Sequence, residues 1–276
     1  MKTLIKVLML GVVGFIPLAN AALAADMIEP VYDEVPEIVP VEIGSGWYLR
    51  GDVSYDFKSK TDGNYRTYAP PGSVACGVDC GTGYDTQDYD SWKFDAGPDV
   101  GLGFGYQFTD YFRGDLTAHY WQADVDGRNE GENCQLGFCG SVETSKAKAW
   151  ELMANAYVDM GTFAGFTPYV GGGVGAVNVS YDDFKSTNYA AGQDFDTITL
   201  DGENSWRFAY ALMAGASYDL TQSLKLDVGY RYVNVDDGDM FAFDDFTAGL
   251  GATGVQGRDN GFDRHTITAG LRYSLF

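Results

Sequence analysis

Residues 262–276 read FDRHTITAGLRYSLF, and their side chains alternate between apolar and polar. A soluble β-sandwich would bury the apolar face against a second sheet. Here, however, similar alternation recurs along the chain, and the sequence stops on an aromatic residue directly after it. We therefore predict an all-β fold, a transmembrane β-barrel whose last strand is this stretch. The apolar face carries Ile267, Ala269, Leu271, Tyr273 and Leu275, and the polar face carries Arg264, Thr266, Thr268, Gly270, Arg272 and Ser274.

The first residues have the layout of a secretory signal peptide. Lys2 and Lys6 supply a positive start, residues 7–18 are apolar, and residues 22–24 (ALA) form a small-residue cleavage site. Beyond them, no apolar run is long enough to predict a transmembrane helix. Only helices and closed barrels satisfy every backbone group in lipid, so export combined with alternating strands predicts an outer-membrane protein.

Three parts are predicted along the chain. Residues 1–24 are the signal peptide. Residues 25–45 contain three prolines and six acids but no base, a composition that predicts an extended, polyproline-like tail. Residues 46–276 form the barrel, which is a single domain. We expect the tail to lie in the periplasm.

The composition agrees with a barrel and excludes one class of partner. The 276 residues include 36 glycines, 19 tyrosines and 17 phenylalanines, the residues that supply tight packing and interfacial aromatic girdles. The formal net charge is −21, and removal of the signal peptide takes away two lysines and no acid. Such acidity argues against a nucleic-acid partner.

The strands and connections follow the rules of bacterial barrels. The connections alternate between short and long, and short turns of such barrels face the periplasm while long loops face outside. With an even number of strands, both termini are then expected in the periplasm. The eight predicted strands are 46–57, 92–108, 111–123, 148–160, 167–181, 205–219, 224–235 and 262–276, and the four long connections are 58–91, 124–147, 182–204 and 236–261.

Parity along each strand separates lipid-facing from inward-facing side chains. In the second segment it places Trp92 and Phe94 on the lipid face. The inward positions carry eight bases and nine acids, and an eight-stranded barrel has room for little besides side chains. Buried charges must pair, so we predict a packed ion-pair interior instead of a wide pore. The inward ionisable residues are Arg50, Asp52, Asp56, Lys93, Asp95, Asp99, Arg113, Asp115, His119, Glu151, Asp159, Arg207, Asp219, Lys225, Asp227, Arg231, Arg264 and Arg272.

The excess of acid falls in the long connections, where residues 236–239 (DDGD) and the pair Asp244-Asp245 are densest. Their spacing does not match an EF-hand, so we predict neither a dedicated metal site nor a cofactor. Because outward lipopolysaccharide is itself anionic, we expect divalent cations to bridge it to these loops. Outer-membrane lipids and the barrel-insertion machinery are the expected partners of a monomeric barrel.

Four cysteines form two close pairs, Cys76 with Cys80 and Cys134 with Cys139. In an exported chain, closely spaced cysteines in even number predict disulfides. Four cysteines allow three connectivities, and adjacency favours the two local ones. Zinc is the rival interpretation, but neither segment contains a histidine.

Two histidines are candidate catalytic residues. His119 lies inward near Asp115 and is either a proton relay or a satisfied member of the interior network. His265 lies near the outer end of the last strand, where some barrel enzymes modify lipid A. The residue two positions further on the same face is Ile267, and no catalytic triad is visible. We expect no enzymatic activity.

Residues 167–175 (TPYVGGGVG), 226–232 (LDVGYRY) and 265–273 (HTITAGLRY) resemble strands of a known family. The family is that of the small eight-stranded outer-membrane barrels of the opacity-protein and surface-antigen type, most similar to the alphaproteobacterial set. The resemblance implies an abundant envelope component, porin-like protein, surface antigen or adhesin.

The family resemblance also implies an assembly signal at the chain end, formed here by Tyr273, Leu275 and Phe276. The chain departs from the family pattern because Phe276 is one residue out of the lipid-facing register. The function that we expect is structural support of the envelope and surface presentation. The alternative is a small-solute channel.

Overall fold

The computed structural model describes residues 46–57, 59–70, 83–89, 91–95, 97–131, 139–190 and 193–275. The predicted signal peptide 1–24, the tail 25–45 and Phe276 lie outside this part. So do Cys76, Cys80 and Cys134, and the side chain of Cys139 is not described either. The signal peptide, the tail and the disulfides therefore remain predictions. No helix in the described ranges is long and apolar enough to span a membrane.

The described chain is almost entirely strand. Its single described helix, α1 (Asp245–Gly249), lies in the last long connection. In chain order the strands are β1 (Trp47–Asp56), β2 (Ser59–Thr61), β3 (Gly63–Ala69), β4 (Gly83–Asp88), β5 (Ser91–Phe94), β6 (Pro98–Thr109), β7 (Phe112–Gly131), β8 (Cys139–Asp159), β9 (Phe166–Tyr181), β10 (Phe184–Ala190), β11 (Gln193–Leu200), β12 (Asn204–Asp219), β13 (Leu224–Val235), β14 (Gly238–Ala242), β15 (Val255–Asp259) and β16 (Phe262–Ser274).

Eight strands close into a ring, in the order β1, β6, β7, β8, β9, β12, β13 and β16. Every neighbouring pair is antiparallel, and β16 returns to β1, with Arg272 opposite Arg50 and Ile267 opposite Tyr55. The predicted eight-stranded antiparallel barrel is confirmed. Because the ring is closed, no barrel strand is left with an open edge.

The outer wall has an apolar band between two rings of aromatic side chains. At one end Trp47 stacks on Phe104 with ring centroids 4.6 Å apart, and at the other Tyr120 lies 4.9 Å from Trp150. Ten residues of a tilted strand span roughly 25 Å along the barrel axis, the height of a lipid-facing band. Exposed aliphatic side chains of the band include Leu49, Val53, Val100, Leu102, Leu116, Leu152, Val170, Val174, Leu212, Val228, Ile267 and Leu271.

The long connections contain regular secondary structure of their own. Strands β7 and β8 pair from Phe112 opposite Val158 to Gly131 opposite Cys139, well past the aromatic ring. Strands β10 and β11 extend this sheet. A separate four-stranded sheet, in the order β14, β15, β3 and β4, forms from the first and last long connections.

The second predicted strand, 92–108, is interrupted. The chain leaves the ladder between β5 and β6, where a Cβ on Gly97 would lie 2.2 Å from the carbonyl oxygen of Gln122. An irregularity of this kind reverses the parity of the residues before it. Phe94 is consequently buried and Lys93 is exposed. The predictions of a lipid-facing Phe94 and an inward Lys93 were therefore wrong.

Glycines of β6 make room for large inward side chains. A Cβ on Gly101 would lie 2.5 Å from the His119 ring, and one on Gly105 would lie 2.3 Å from the Tyr48 ring. The alternating glycines of this strand therefore allow side chains of neighbouring strands to fill the interior.

Gly105→Val should destabilise the barrel by about 1–3 kcal/mol, because the valine would displace the buried Tyr48 ring. Gly51→Val is the matched control. A Cβ at Gly51 meets only the Leu102 side chain, at 3.7 Å, on the lipid-facing side. Urea unfolding in lipid vesicles measures both variants, and equal losses of stability would contradict the assignment of the two faces.

Candidate functional site

The centre of the barrel interior is built around Glu151, which is fully buried. Arg231 donates to one of its carboxylate oxygens, and Arg264 donates to the other at 3.2 Å. Arg264 also contacts Asp56 and, at 2.9 Å, Asp99. Residues of five strands thus meet in a single cluster of buried charges. The strands are β1, β6, β8, β13 and β16.

His119 joins this cluster from β7. Its Nδ1 lies 2.8 Å from Oδ1 of Asp99, and its ring is buried. The guanidinium of Arg264 stacks over the Trp121 ring at 4.3 Å. His119 is therefore a hydrogen-bonded member of the interior network, one of the two interpretations that the sequence allowed.

A second charged cluster lies nearer the short turns and is centred on Asp115. Arg50 donates to Asp115 at 3.0 Å and to Asp52 at 2.8 Å. The Asn155 amide and the Tyr48 hydroxyl also donate to Asp115, at 2.8 and 3.1 Å. With these donors the Asp115 carboxylate is well satisfied despite its burial, as a buried charge requires.

Two more buried pairs complete this end of the barrel. Arg113 donates to Asp159 at 3.1 Å and lies 3.9 Å from the centroid of the Tyr157 ring. Arg272 donates to Asp227 at 3.1 Å. The guanidinium groups of Arg113 and Arg272 are therefore buried, out of contact with both lipid and water.

The predicted interior residues divide into three groups. Lys93 is exposed, whereas Arg50, Asp95, Asp219 and Lys225 are half-buried. The Lys225–Asp219 pair, 2.5 Å apart, lies at the turn end and is about one-third accessible to solvent. The buried group contains Asp52, Asp56, Asp99, Arg113, Asp115, His119, Glu151, Asp159, Arg207, Asp227, Arg231, Arg264 and Arg272.

Beyond the charged clusters, the end of the barrel with the long connections is closed by an apolar plug that the sequence reasoning missed. Met240 and Phe241 of β14 are fully buried. The Phe241 ring lies 4.7 Å from that of Phe184 and 5.5 Å from that of Tyr181. The signal was residues 240–243 (MFAF), a short apolar run in an otherwise acidic connection.

Backbone hydrogen bonds and a buried ion pair hold the plug in place. The amide of Glu203 donates to the carbonyl of Met240 at 2.9 Å, and the amide of Ala242 donates to that of Asp201 at 3.0 Å. Arg207 of β12 pairs with Asp259 at 2.7 Å. Burial raises the pKa of Asp259, and the Arg207 guanidinium opposes that rise.

Two cavities inside the barrel, both lined by described residues, are small. One, beside Arg50, His119 and Arg231, has a volume of about 20 Å³, and another, beside Asp56 and Arg264, also has about 20 Å³. Each has room for roughly one water molecule.

The acidic loops show no metal geometry within the described residues, where no group of three or more acidic, histidine or cysteine side chains could hold an ion. Asp237 and Asp239 both pair with Arg258 at 3.1 Å. Asp244 caps α1 by accepting from the backbone N–H of Thr247 at 3.0 Å. The densest acidic segment is thus engaged in local contacts.

His265 lies on the outer wall. Its Nδ1 is 2.5 Å from the hydroxyl of Tyr230, and the two rings are nearly parallel. The Tyr232 ring is the other aromatic neighbour of His265, at 5.3 Å. This arrangement belongs to the aromatic ring of the outer wall, where such side chains contact lipid headgroups.

Comparison with known proteins places the same architecture in a family. A family described as "Outer membrane protein beta-barrel domain" matches residues 42–274. An uncharacterized protein of Brucella suis is 42% identical over 285 residues, covering 95% of each chain. A putative adhesin of Rickettsia bellii is 27% identical over 176 residues, covering 63% of this chain and 73% of the relative. The crystal structure of Neisserial surface protein A has a TM-score of 0.44 and 16% identity, covering 84% of this chain and 99% of that one.

Arg231→Glu should destabilise the barrel by about 3–5 kcal/mol, because it places a second buried carboxylate beside Glu151. Lys225→Glu is the matched control on the same face of β13. Its partner Asp219 is partly solvated, so the loss should be about 1 kcal/mol or less. Urea unfolding in detergent micelles measures both variants. A neutral Arg231→Glu would show that this residue does not face the interior.

Proposed function

Because the chain belongs to the outer membrane protein β-barrel family, we propose that it is a closed structural barrel that supports the envelope and presents its long connections at the cell surface. The observation that carries the proposal is the filled interior. The ion pairs around Glu151 and the apolar plug at Phe241 block the barrel axis at two successive levels.

The alternative, a small-solute channel, has less support. The plug is held by backbone hydrogen bonds and by the buried Arg207–Asp259 pair, so its withdrawal would break several interactions together. Even without the plug, the clusters around Glu151 and Asp115 would remain across the axis. Buried pairs of this kind are costly to break, because each separation leaves unpaired charge.

Planar-bilayer recording tests the closed barrel. The native protein should show no stable opening of porin size, and the double variant Met240→Gly with Phe241→Gly should stay closed because the charged clusters remain. An open porin incorporated under the same conditions is the positive control. A stable, large conductance of the native protein would contradict the proposal and favour the channel.

The arrangement of the barrel in the membrane is part of the same proposal. The long connections lie outside and both termini in the periplasm, as in other bacterial barrels. The barrel is a monomer without enzymatic activity, and membrane lipids and the insertion machinery are its partners. The closed ring supports the monomer, since it leaves no barrel edge to pair with a neighbour.

Adhesion is a second candidate function, favoured by an exposed apolar tip. Phe246 and Leu250, one helical turn apart at α1, have 75% and 43% of their surface exposed. Large exposed apolar side chains in a polar rim mark protein-binding surfaces. Relatives in Rickettsia bear the name putative adhesin, which agrees with this role.

Binding of the protein in nanodiscs to immobilised host matrix proteins tests adhesion. Phe246→Ser with Leu250→Ser should weaken binding by about tenfold or more, the loss typical of an apolar anchor. Ile198→Ser, which removes a side chain of β11 that is as exposed as Leu250, is the control. If the native protein binds no matrix protein, or if the control loses as much, adhesion through this tip is excluded.

A further inference from the structure

The interruption between β5 and β6 leaves a groove in the outer wall of the barrel. Its volume is about 390 Å³, and its sides come from β6, β7 and β8. Tyr120, which lines it, belongs to the aromatic ring at the end with the long connections. The groove therefore lies at the level where acyl chains give way to headgroups.

The lining of the groove changes from apolar to polar with distance from the lipid-facing band. Val100 and Pro98 form an apolar lower part, and Val100 is half exposed toward lipid. Above them lie the Gln122 amide, which donates to the Tyr120 hydroxyl at 2.7 Å, and the Lys146 ammonium. An apolar slot below one cation and a polar amide matches the two ends of a lipid molecule.

The floor of the groove is closed. Trp121 is only 2% exposed and lines both the groove and the inner cavity beside Asp56 and Arg264. Its indole thus stands between the two spaces. The groove accordingly opens toward the surrounding lipid and not into the barrel interior.

We propose that this groove is a binding site for lipopolysaccharide, with an acyl chain along Val100 and a lipid A phosphate at Lys146. The groove opens toward the membrane, so its occupant is taken to be a membrane lipid. Which lipid it is follows from the orientation in the proposed function, on which this inference rests. With the long connections outside, the phosphate-bearing lipid at this level is lipopolysaccharide. Gln122 donates the second hydrogen bond to the phosphate.

Lys146 is available for such a contact. Its existing partner is Asp124, at 3.4 Å, and both side chains are more than 60% exposed. An ion pair so exposed is weak, since water screens it. A lipid phosphate can therefore replace Asp124, while the carboxylate itself opposes the approach of the anion.

The matched control lies on the same strand and face. Lys148 pairs with Asp182 at 2.7 Å and does not line the groove. A general attraction between lysines and anionic lipid would involve both residues equally. A site in the groove involves Lys146 alone.

Native mass spectrometry of the full-length protein, with rough lipopolysaccharide added in micelles, measures the fraction that keeps one bound lipid. Lys146→Gln should lower the apparent affinity about tenfold, as loss of a charge-assisted hydrogen bond does. Val100→Trp should lower it similarly by filling the slot, Asp124→Asn should raise it, and Lys148→Gln should leave it unchanged. Phosphatidylglycerol and dephosphorylated lipid A should be kept less well than lipopolysaccharide.

An equal loss for Lys148→Gln, or no loss for Val100→Trp, would overturn the site, and so would equal retention of phosphatidylglycerol. Heat-dependent gel migration verifies that each variant is a folded barrel. Conductance is recorded on the same preparations, so an absent lipid site with a closed barrel overturns only this inference. A conducting barrel that still selects lipopolysaccharide overturns only the proposed function.

Discussion

The pairing of β16 with β1 is the constraint on which the rest of the structure depends. In lipid, an unpaired strand edge leaves amides and carbonyls without partners, which costs several kcal/mol for each group. The last strand must therefore return to the first, and Arg272 comes to lie opposite Arg50. Closure with eight strands fixes a narrow interior, and every inward side chain must be accommodated in it.

The narrow interior explains two features that are otherwise unrelated. Inward arginines and acids are brought within hydrogen-bond distance across the barrel, so that Glu151 of β8 holds residues of β13 and β16. Glycines on β6 and β9 leave space for the large side chains of adjacent strands, as Gly173 of β9 does for Asn155 of β8. Both features follow from packing a fixed number of side chains around one axis.

The groove at Gly97 and the plug at Phe241 are the two main departures from the regular ladder of the barrel. The irregularity at Gly97 leaves a groove in the outer wall at the level of the lipid interface. The other departure is a connection that folds back over the mouth of the barrel and closes it. At both places the side chains, and not the backbone ladder, determine the shape of the surface. Irregular segments of this kind are where proteins that share a fold differ in function.

The sequence by itself determined the number of barrel strands, the ends of all eight strands at the short turns to within about two residues, and most of the inward charges. It could do so because alternation with period two reports directly which face of a strand is polar. Only the tertiary structure decided which charges meet, that Lys93 faces outward, and that Phe241 closes the barrel. The reason is physical. Pairing across a barrel depends on strand stagger, a single irregularity reverses parity, and the burial of a loop depends on surfaces far away in the chain.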